Sequence, residues 1–255
     1  MATIDINPIL LNLGPLEIRW YGVIFAVMFL IGIYFAVYLA KSRNIKKEII
    51  LDFMPYLILS SLIMARIFHV FVYNLDFYMQ NPSLIPAIWK GGISFHGALL
   101  GGIIAAFIYC RKKKIKFYDL ADIFSIPLAL GVTFGRVGNL INQELYGKIT
   151  NLPWGIQFSN IEGKRHPSQI YEAITHAITF SFLLYFYKLK SLPKGFIFWF
   201  FITLYSFFRF ITEFFRDQQT TFLNLSTAQL FSIFFFVIGI IFVAKLLNKT
   251  TLRNT

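Results

Sequence analysis

Seven long apolar runs, separated by short polar stretches, organise this chain. They cover residues 18–40, 49–73, 90–110, 117–138, 168–187, 195–214 and 226–247. A helix needs about 20 residues to cross the hydrocarbon core of a bilayer, and each run has that length. The runs do not alternate apolar and polar residues in the short segments a membrane β-barrel requires. Backbone groups in lipid must be satisfied within their own segment, so the pattern predicts helices. The expected fold is an all-α integral membrane protein with seven transmembrane helices. It forms one polytopic domain over 1–255, without internal repeats.

Charge then orients the helices. Fifteen of the 24 Lys and Arg residues fall in four blocks, Lys41–Lys47, Arg111–Lys116, Lys188–Lys194 and Lys245–Arg253. These blocks follow the first, third, fifth and seventh runs. Short basic loops mark the cytoplasmic side. The N-terminus and the loops 74–89, 139–167 and 215–225 are therefore expected outside, and the C-terminus inside. The connection 139–167 is the longest, and connections of that size are often functional. The first 16 residues carry no basic n-region and no small-residue cleavage site, so the first run reads as a retained span.

Composition supports this class. Hydrophobic residues make up 57% of the 255 and charged residues only 14%, against about 25% charged in a soluble domain. The net charge of +12 reads as topology, with some attraction to anionic lipid, and not as a nucleic-acid surface. The single cysteine, Cys110, excludes a disulfide framework and a cysteine metal site. It reads as a small buried residue. His69, His96, His166 and His176 lack metal-ligand spacing, and neither a metal nor a cofactor is expected.

Four arginines lie within or at the edge of the runs: Arg19, Arg66, Arg136 and Arg209. Ionisable residues inside a span are costly and mark functional sites by default. Counted from the outer ends, His96 is about 9 Å into the third span and Arg209 about 8 Å into the sixth, at roughly 1.5 Å per residue. Tyr21, Arg66 and Arg136 fall at a similar depth, in the outer leaflet. A lone arginine near a helix end can snorkel to the interface, and Arg19 fits that role equally well. Asp119 and Asp122, near the inner end of the fourth span, are expected to pair with the Arg111–Lys116 block.

Spacing adds detail. Arg209, Glu213 and Arg216 share one helix face, so Glu213 can fix one guanidinium and leave the other for an anion. The stretch Gly91–Gly102 is rich in small residues, which let membrane helices approach closely, and it places Ser94 and His96 among them. Gly135–Glu144 is the densest polar stretch, with Arg136, Asn139, Asn142 and Glu144. Its helix is expected to end near Gly138. Arginine forks match phosphate oxygens, and a histidine near neutral pKa can take a proton from a nucleophile. Physics alone allows a phospholipid-using transferase, a lipase-like enzyme or a carrier of organic anions. A carrier calls for polar groups near the midplane and broken helices, and neither pattern is present. A seven-helix receptor does not require an arginine cluster.

Six motifs in order resemble the bacterial prolipoprotein diacylglyceryl transferases over nearly the whole chain. They are Arg19-Trp20-Tyr21-Gly22, Ala65-Arg66-Ile67-Phe68, Gly91 to Gly97, Gly135 to Glu144, His166-Pro167-Ser168-Gln169-Ile170-Tyr171-Glu172 and Arg209 to Arg216. Two positions depart from the family pattern: Ala98 replaces a glycine and Leu140 an aromatic residue. The resemblance implies transfer of the diacylglyceryl group of phosphatidylglycerol to the lipobox cysteine thiol in a prolipoprotein signal peptide. A thioether forms and glycerol 1-phosphate leaves, at the bacterial inner membrane, as the first step of lipoprotein maturation. It implies catalytic roles for His96, Arg136, Arg209 and Tyr21. Arg66, Ser94, Asn139, Asn142, Glu144, Glu213 and Arg216 are the expected substrate-binding residues, with both glutamates holding arginines in place.

Overall fold

The computed structural model describes residues 3–14, 16–159, 161–189, 192–220 and 222–254. Short strands β1 (Thr3–Ile4), β2 (Ile9–Leu13) and β3 (Leu16–Arg19) precede helix α1 (Trp20–Ser42). Then follow α2 (Lys47–Phe68), a π turn at His69–Tyr73, α3 (Leu75–Gln80), α4 (Phe95–Lys113) and α5 (Phe117–Ile141). Strands β4 (Ile156–Phe158) and β5 (Lys164–Arg165) lead to α6 (Ser168–Lys188), α7 (Phe196–Glu213) and α8 (Thr227–Asn254). Each of the seven apolar runs thus corresponds to a long helix. Among the described residues, five helical segments are apolar and long enough to cross a membrane: Trp20–Ser42, Lys47–Tyr73, Phe117–Ile141, Phe196–Glu213 and Thr227–Lys249. Helices α4 and α6 have comparable length but carry glycine, histidine and acidic or basic residues that lower their hydropathy. The chain is a mostly helical, multi-pass membrane protein.

Two compact units divide the chain, one of Met1–Ala36 with Asp122–Thr255, the other of Val37–Ala121. In the second, α2 packs on α4 along the small residues of α4. A Cβ on Gly97 would collide with the Met64 carbonyl oxygen and lie 2.9 Å from the Ala65 Cα. Gly101 meets the Ser60 carbonyl in the same way, and Ser60 Oγ donates to the Gly101 carbonyl at 2.8 Å. Packing therefore accounts for these glycines. Gly97→Val is expected to destabilise the protein by ~1–3 kcal/mol, the usual cost of overpacking. Gly131→Ala, which meets open space, is the neutral control, and thermal unfolding in detergent compares them.

In the first unit, α6, α7 and α8 pack in sequence, and a Cβ added to Gly32 of α1 would lie 3.7 Å from the Pro127 Cβ on α5. Asp122 has a role that local spacing does not suggest. Its carboxylate accepts the backbone N–H of Gly195 at 2.8 Å and of Phe198 at 2.9 Å. It caps the N-terminus of α7, whose own cap residue, Gly195, offers no side chain. The same role favours a negative charge at the positive end of the helix dipole. Cys110 is buried, as expected of a small apolar residue. The N-terminal residues form an antiparallel hairpin of β2 and β3. A three-stranded sheet pairs β1 parallel to β4 and β4 antiparallel to β5, so the connection after α5 is ordered by strands as well as by side chains.

Candidate functional site

Helix α5 carries Arg136 and Asn139 in its last turns and ends at Ile141, three residues beyond Gly138. The chain turns there through two left-handed residues, Gln143 and Leu145. The N–H groups of Asn142 and Glu144 close the helix on the carbonyls of Gly138 and Asn139. Gln143 Oε1 accepts from both the N–H and the hydroxyl of Ser159, at 2.8 and 2.7 Å. From α6, Gln169 Nε2 donates to the Glu144 carbonyl at 2.6 Å, and Ser168 Oγ to the Leu145 carbonyl at 2.7 Å. The corner is held from both sides of the loop. Gly138 is required by close approach: a Cβ there would meet the Tyr21 ring at 2.7 Å.

Glu172, on the buried face of α6, gathers three arginines. Its Oε2 lies 2.7 Å from Arg136 Nε. Its Oε1 lies 3.2 Å from Arg209 Nη1 and 3.1 Å from Arg216 Nη1. Glu213 joins the same network, 2.7 Å from Arg209 Nη1 and 3.7 Å from Arg216 Nε, and its other oxygen accepts from Ser226 Oγ at 2.7 Å. Three guanidiniums thus share two carboxylates, which leaves one positive charge in surplus. A positive charge in excess of its carboxylates is costly to bury, and this excess is the cluster's chemical basis as a candidate anion site. The side chains of Glu172 and Glu213 are 2% and 3% exposed, and that of Arg216 is 7% exposed, against 17% for Arg136 and 15% for Arg209. Arg136 and Arg209 are therefore the more exposed pair, and Arg216 is the most buried of the three.

A second chain of bonds leaves Arg136. Its Nη1 donates to Asn139 Oδ1 at 3.1 Å, and Asn139 Nδ2 donates to Glu144 Oε1 at 2.7 Å. Asn142 Nδ2 reaches the same oxygen at 3.4 Å. Glu213 does hold arginines, as the helical spacing implied. Glu144 reaches Arg136 through Asn139, because its carboxylate is taken up by the two amides. Arg19 stands apart: it pairs with Glu17 at 2.9 Å on an exposed strand.

Beyond the helix ends, the connection between α5 and α6 is tied to this corner. Gly147 pairs with Arg216, and Ile149 with Arg165, as isolated bridges. Trp154 Nε1 donates to Tyr171 Oη at 2.8 Å, so the single Tyr171 hydroxyl proton is left for His166 Nδ1, 3.1 Å away. Burial, and then the Lys148 ammonium, hold His166 below its ordinary 6.5, in keeping with an imidazole that accepts at Nδ1.

The other three predicted residues lie in the second unit. Arg66 is buried, and its guanidinium donates to four backbone carbonyls: Ile85 at 2.8 Å, Gly91 and Gly92 at 2.7 Å each, and Leu84 at 2.6 Å. Its fork holds the connection before α4 in place. Ser94 also supports the local fold. Its Oγ accepts the Gly97 N–H at 3.2 Å as the N-cap of α4, and its N–H donates to the Ala65 carbonyl. His96 is exposed in the first turn of α4, with Nδ1 3.0 Å from the Tyr73 hydroxyl.

Sequence reading missed Glu172 as the centre of the arginine cluster. A carboxylate four residues from His176 and three from Gln169, on a helix whose other face is Phe- and Leu-rich, was the available signal. His176 is also buried there, stacked on Tyr205 at 5.2 Å.

The sequence comparisons agree with one another. Residues 8–245 match the prolipoprotein diacylglyceryl transferase family. The chain is 40% identical over 243 residues to the phosphatidylglycerol–prolipoprotein diacylglyceryl transferase of Geobacter sulfurreducens, covering 92% of this chain and 93% of that protein. It is 39% identical over 245 residues to the enzyme of that name from Rickettsia conorii, covering 92% and 95%. It is 36% identical over 248 residues to that of Vibrio parahaemolyticus, covering 93% and 89%. With a match across almost its full length and an arginine cluster built from three of the motifs that carry it, this chain belongs to the prolipoprotein diacylglyceryl transferase family.

Proposed function

We propose that this protein transfers the diacylglyceryl group of phosphatidylglycerol to the lipobox cysteine of a prolipoprotein signal peptide. The thiol sulfur bonds to the glyceryl carbon, the carbon–oxygen bond to phosphate breaks, and glycerol 1-phosphate leaves with the proton. The observation that carries this reading is the cluster of Arg136, Arg209 and Arg216 around buried Glu172, with its surplus positive charge. Arg136 and Arg209 bind the phosphate and stabilise the charge that grows on it as the bond to carbon breaks. Because Glu172 already fixes the guanidiniums, little side-chain entropy is lost when the headgroup binds. Asn139 and Asn142 orient the headgroup, with Glu144 fixing both amides. Tyr21 packs against Gly138 beside this corner. His96 takes the thiol proton, since a free thiol with a pKa near 8.5 is mostly protonated at neutral pH.

The same reading makes α4 and α6 the third and fifth of seven spans in a single polytopic domain. At about 1.5 Å per residue their 19 and 21 residues reach ~28–32 Å, close to the ~30 Å hydrocarbon core. In α6 the polar residues Ser168, Gln169, Glu172, His176 and Thr179 are buried, so they cost hydropathy without facing lipid. The basic blocks then lie in the cytoplasm and the N-terminus outside, in a bacterial inner membrane.

Purified protein in phosphatidylglycerol vesicles, given a lipobox peptide, is expected to yield the lipidated peptide and glycerol phosphate in equal amounts. A carrier of organic anions would release neither. His96→Gln is expected to lower turnover ~10²-fold or more and flatten its pH dependence. An unchanged rate from about pH 6 to 9 would remove His96 as the base.

A further inference from the structure

We propose that Ser226 is a positioning residue for Arg209, acting through Glu213: its hydroxyl occupies one carboxylate oxygen and so keeps the guanidinium from being drawn fully into an ion pair. The inference rests on the transferase reading above and adds a residue to its phosphate site.

The run that becomes α8 opens with Ser226-Thr227-Ala228-Gln229, the Ser-x-x-Gln spacing of a capping box. The structure builds that box. Ser226 Oγ accepts the Gln229 N–H at 3.2 Å, and Gln229 Oε1 accepts the Ser226 N–H at 2.9 Å. The Ser226 carbonyl takes the first helical bond, from the Leu230 N–H at 3.1 Å. Ser226, Gln229 and Glu213 are all buried. The box uses only a lone pair of the serine oxygen, so the hydroxyl proton is left over. It goes to Glu213 Oε1, 2.7 Å away and 13 residues earlier in the chain. An ionised carboxylate can only accept, which fixes the direction of the bond.

That bond decides how the arginines are shared. Glu172 gives both oxygens to guanidiniums, one to Arg136 and the other to Arg209 and Arg216. Glu213 gives one, Oε2, which lies 2.7 Å from Arg209 Nη1 and 3.7 Å from Arg216 Nε. Three guanidiniums therefore meet three carboxylate oxygens, and Ser226 holds the fourth. Without the hydroxyl, Glu213 Oε1 would be a buried charged acceptor that has lost its donor, which is costly. The donors at hand belong to the arginines, whose forks suit a carboxylate engaged through both oxygens. The carboxylate would turn, Arg209 would close on it, and donors would be withdrawn from the phosphate. The hydroxyl thus works as a brake on Glu213. Through it the start of α8, which brings no charge to the cluster, sets how strongly α6 and α7 hold an anion.

Ser226→Gly tests this, because glycine serves as an N-cap almost as well as serine and lacks the hydroxyl. Glycerol 1-phosphate is titrated calorimetrically into the purified full chain in detergent, and thermal unfolding is followed on the same samples. Ser226→Gly is expected to bind the phosphate ~10-fold more weakly, the low end of what a hydrogen bond to a charged group is worth, while unfolding close to the unaltered protein. Ser226→Thr, which keeps both the cap and the hydroxyl, should restore the affinity. Unchanged affinity in Ser226→Gly, a loss that Ser226→Thr does not restore, or a loss that follows thermal stability instead of the hydroxyl overturns the proposal. Binding by the unaltered protein without lipidation of a lipobox peptide in phosphatidylglycerol vesicles would reject the transferase reading alone. Absence of binding by the unaltered protein would reject both.

Discussion

Glu172→Gln is expected to abolish diacylglyceryl transfer and to weaken the fold together. The substitution keeps the shape and removes the charge that three guanidiniums share at 2.7–3.2 Å. Glu213 would then remain for Arg209 and Arg216 while Arg136 loses its carboxylate partner, so a surplus of one positive charge becomes two. Removing one partner of a buried ion pair typically costs ~3–5 kcal/mol, and here it also scatters the groups assigned to the phosphate. Thermal unfolding and the lipobox assay, run on the same preparation, measure both losses. Glu172→Asp keeps the charge but withdraws it by one methylene, and should retain more stability than Glu172→Gln. Wild-type stability and turnover in Glu172→Gln would show that the arginines are organised by something else.

The second large effect belongs to the two more exposed arginines. Arg136→Ala or Arg209→Ala is expected to lower turnover ~10²–10³-fold, the scale of losing a preorganised donor to developing negative charge. Either variant leaves Glu172 two guanidinium partners, so folding should survive where Glu172→Gln suffers. Arg136→Lys should not restore the rate, because an ammonium cannot engage Glu172 through Nε while offering Nη1 to Asn139, as Arg136 does. Turnover of Arg136→Ala within ~2-fold of wild type would be far too small for such a donor and would reject the phosphate clamp.

The difference between these two predictions was invisible along the sequence. Hydropathy marked the helices because lipid imposes a length and an apolar surface, and five segments meet that demand openly. Helices α4 and α6 blur it, since each trades apolar residues for contacts with other helices. The arginines were legible because charge in a span is rare. Their order was not. Arg209 and Glu213 could be paired from a four-residue spacing within one helix, and they do pair. Glu172 draws on Arg136, 36 residues before it, and on Arg209, 37 residues after it, and no local rule connects such positions. The cap made by Asp122 is hidden for the same reason: its oxygens hold the start of a helix more than 70 residues away. The end of α5 was placed three residues early because glycine suggested a break, when Gly138 instead makes room for Tyr21.

Arg66 teaches a caution about reading loss of function in this protein. Its fork replaces the hydrogen-bonding neighbours that a strand or helix would otherwise give to Leu84, Ile85, Gly91 and Gly92. It behaves as a piece of scaffold made from a side chain. Truncating it would strand four carbonyls and unmoor the segment that leads into His96, so an inactive Arg66 variant reports a collapsed support. An alanine scan would score Arg66 and Arg136 alike, and only structural integrity measured beside activity tells a broken frame from a missing hand.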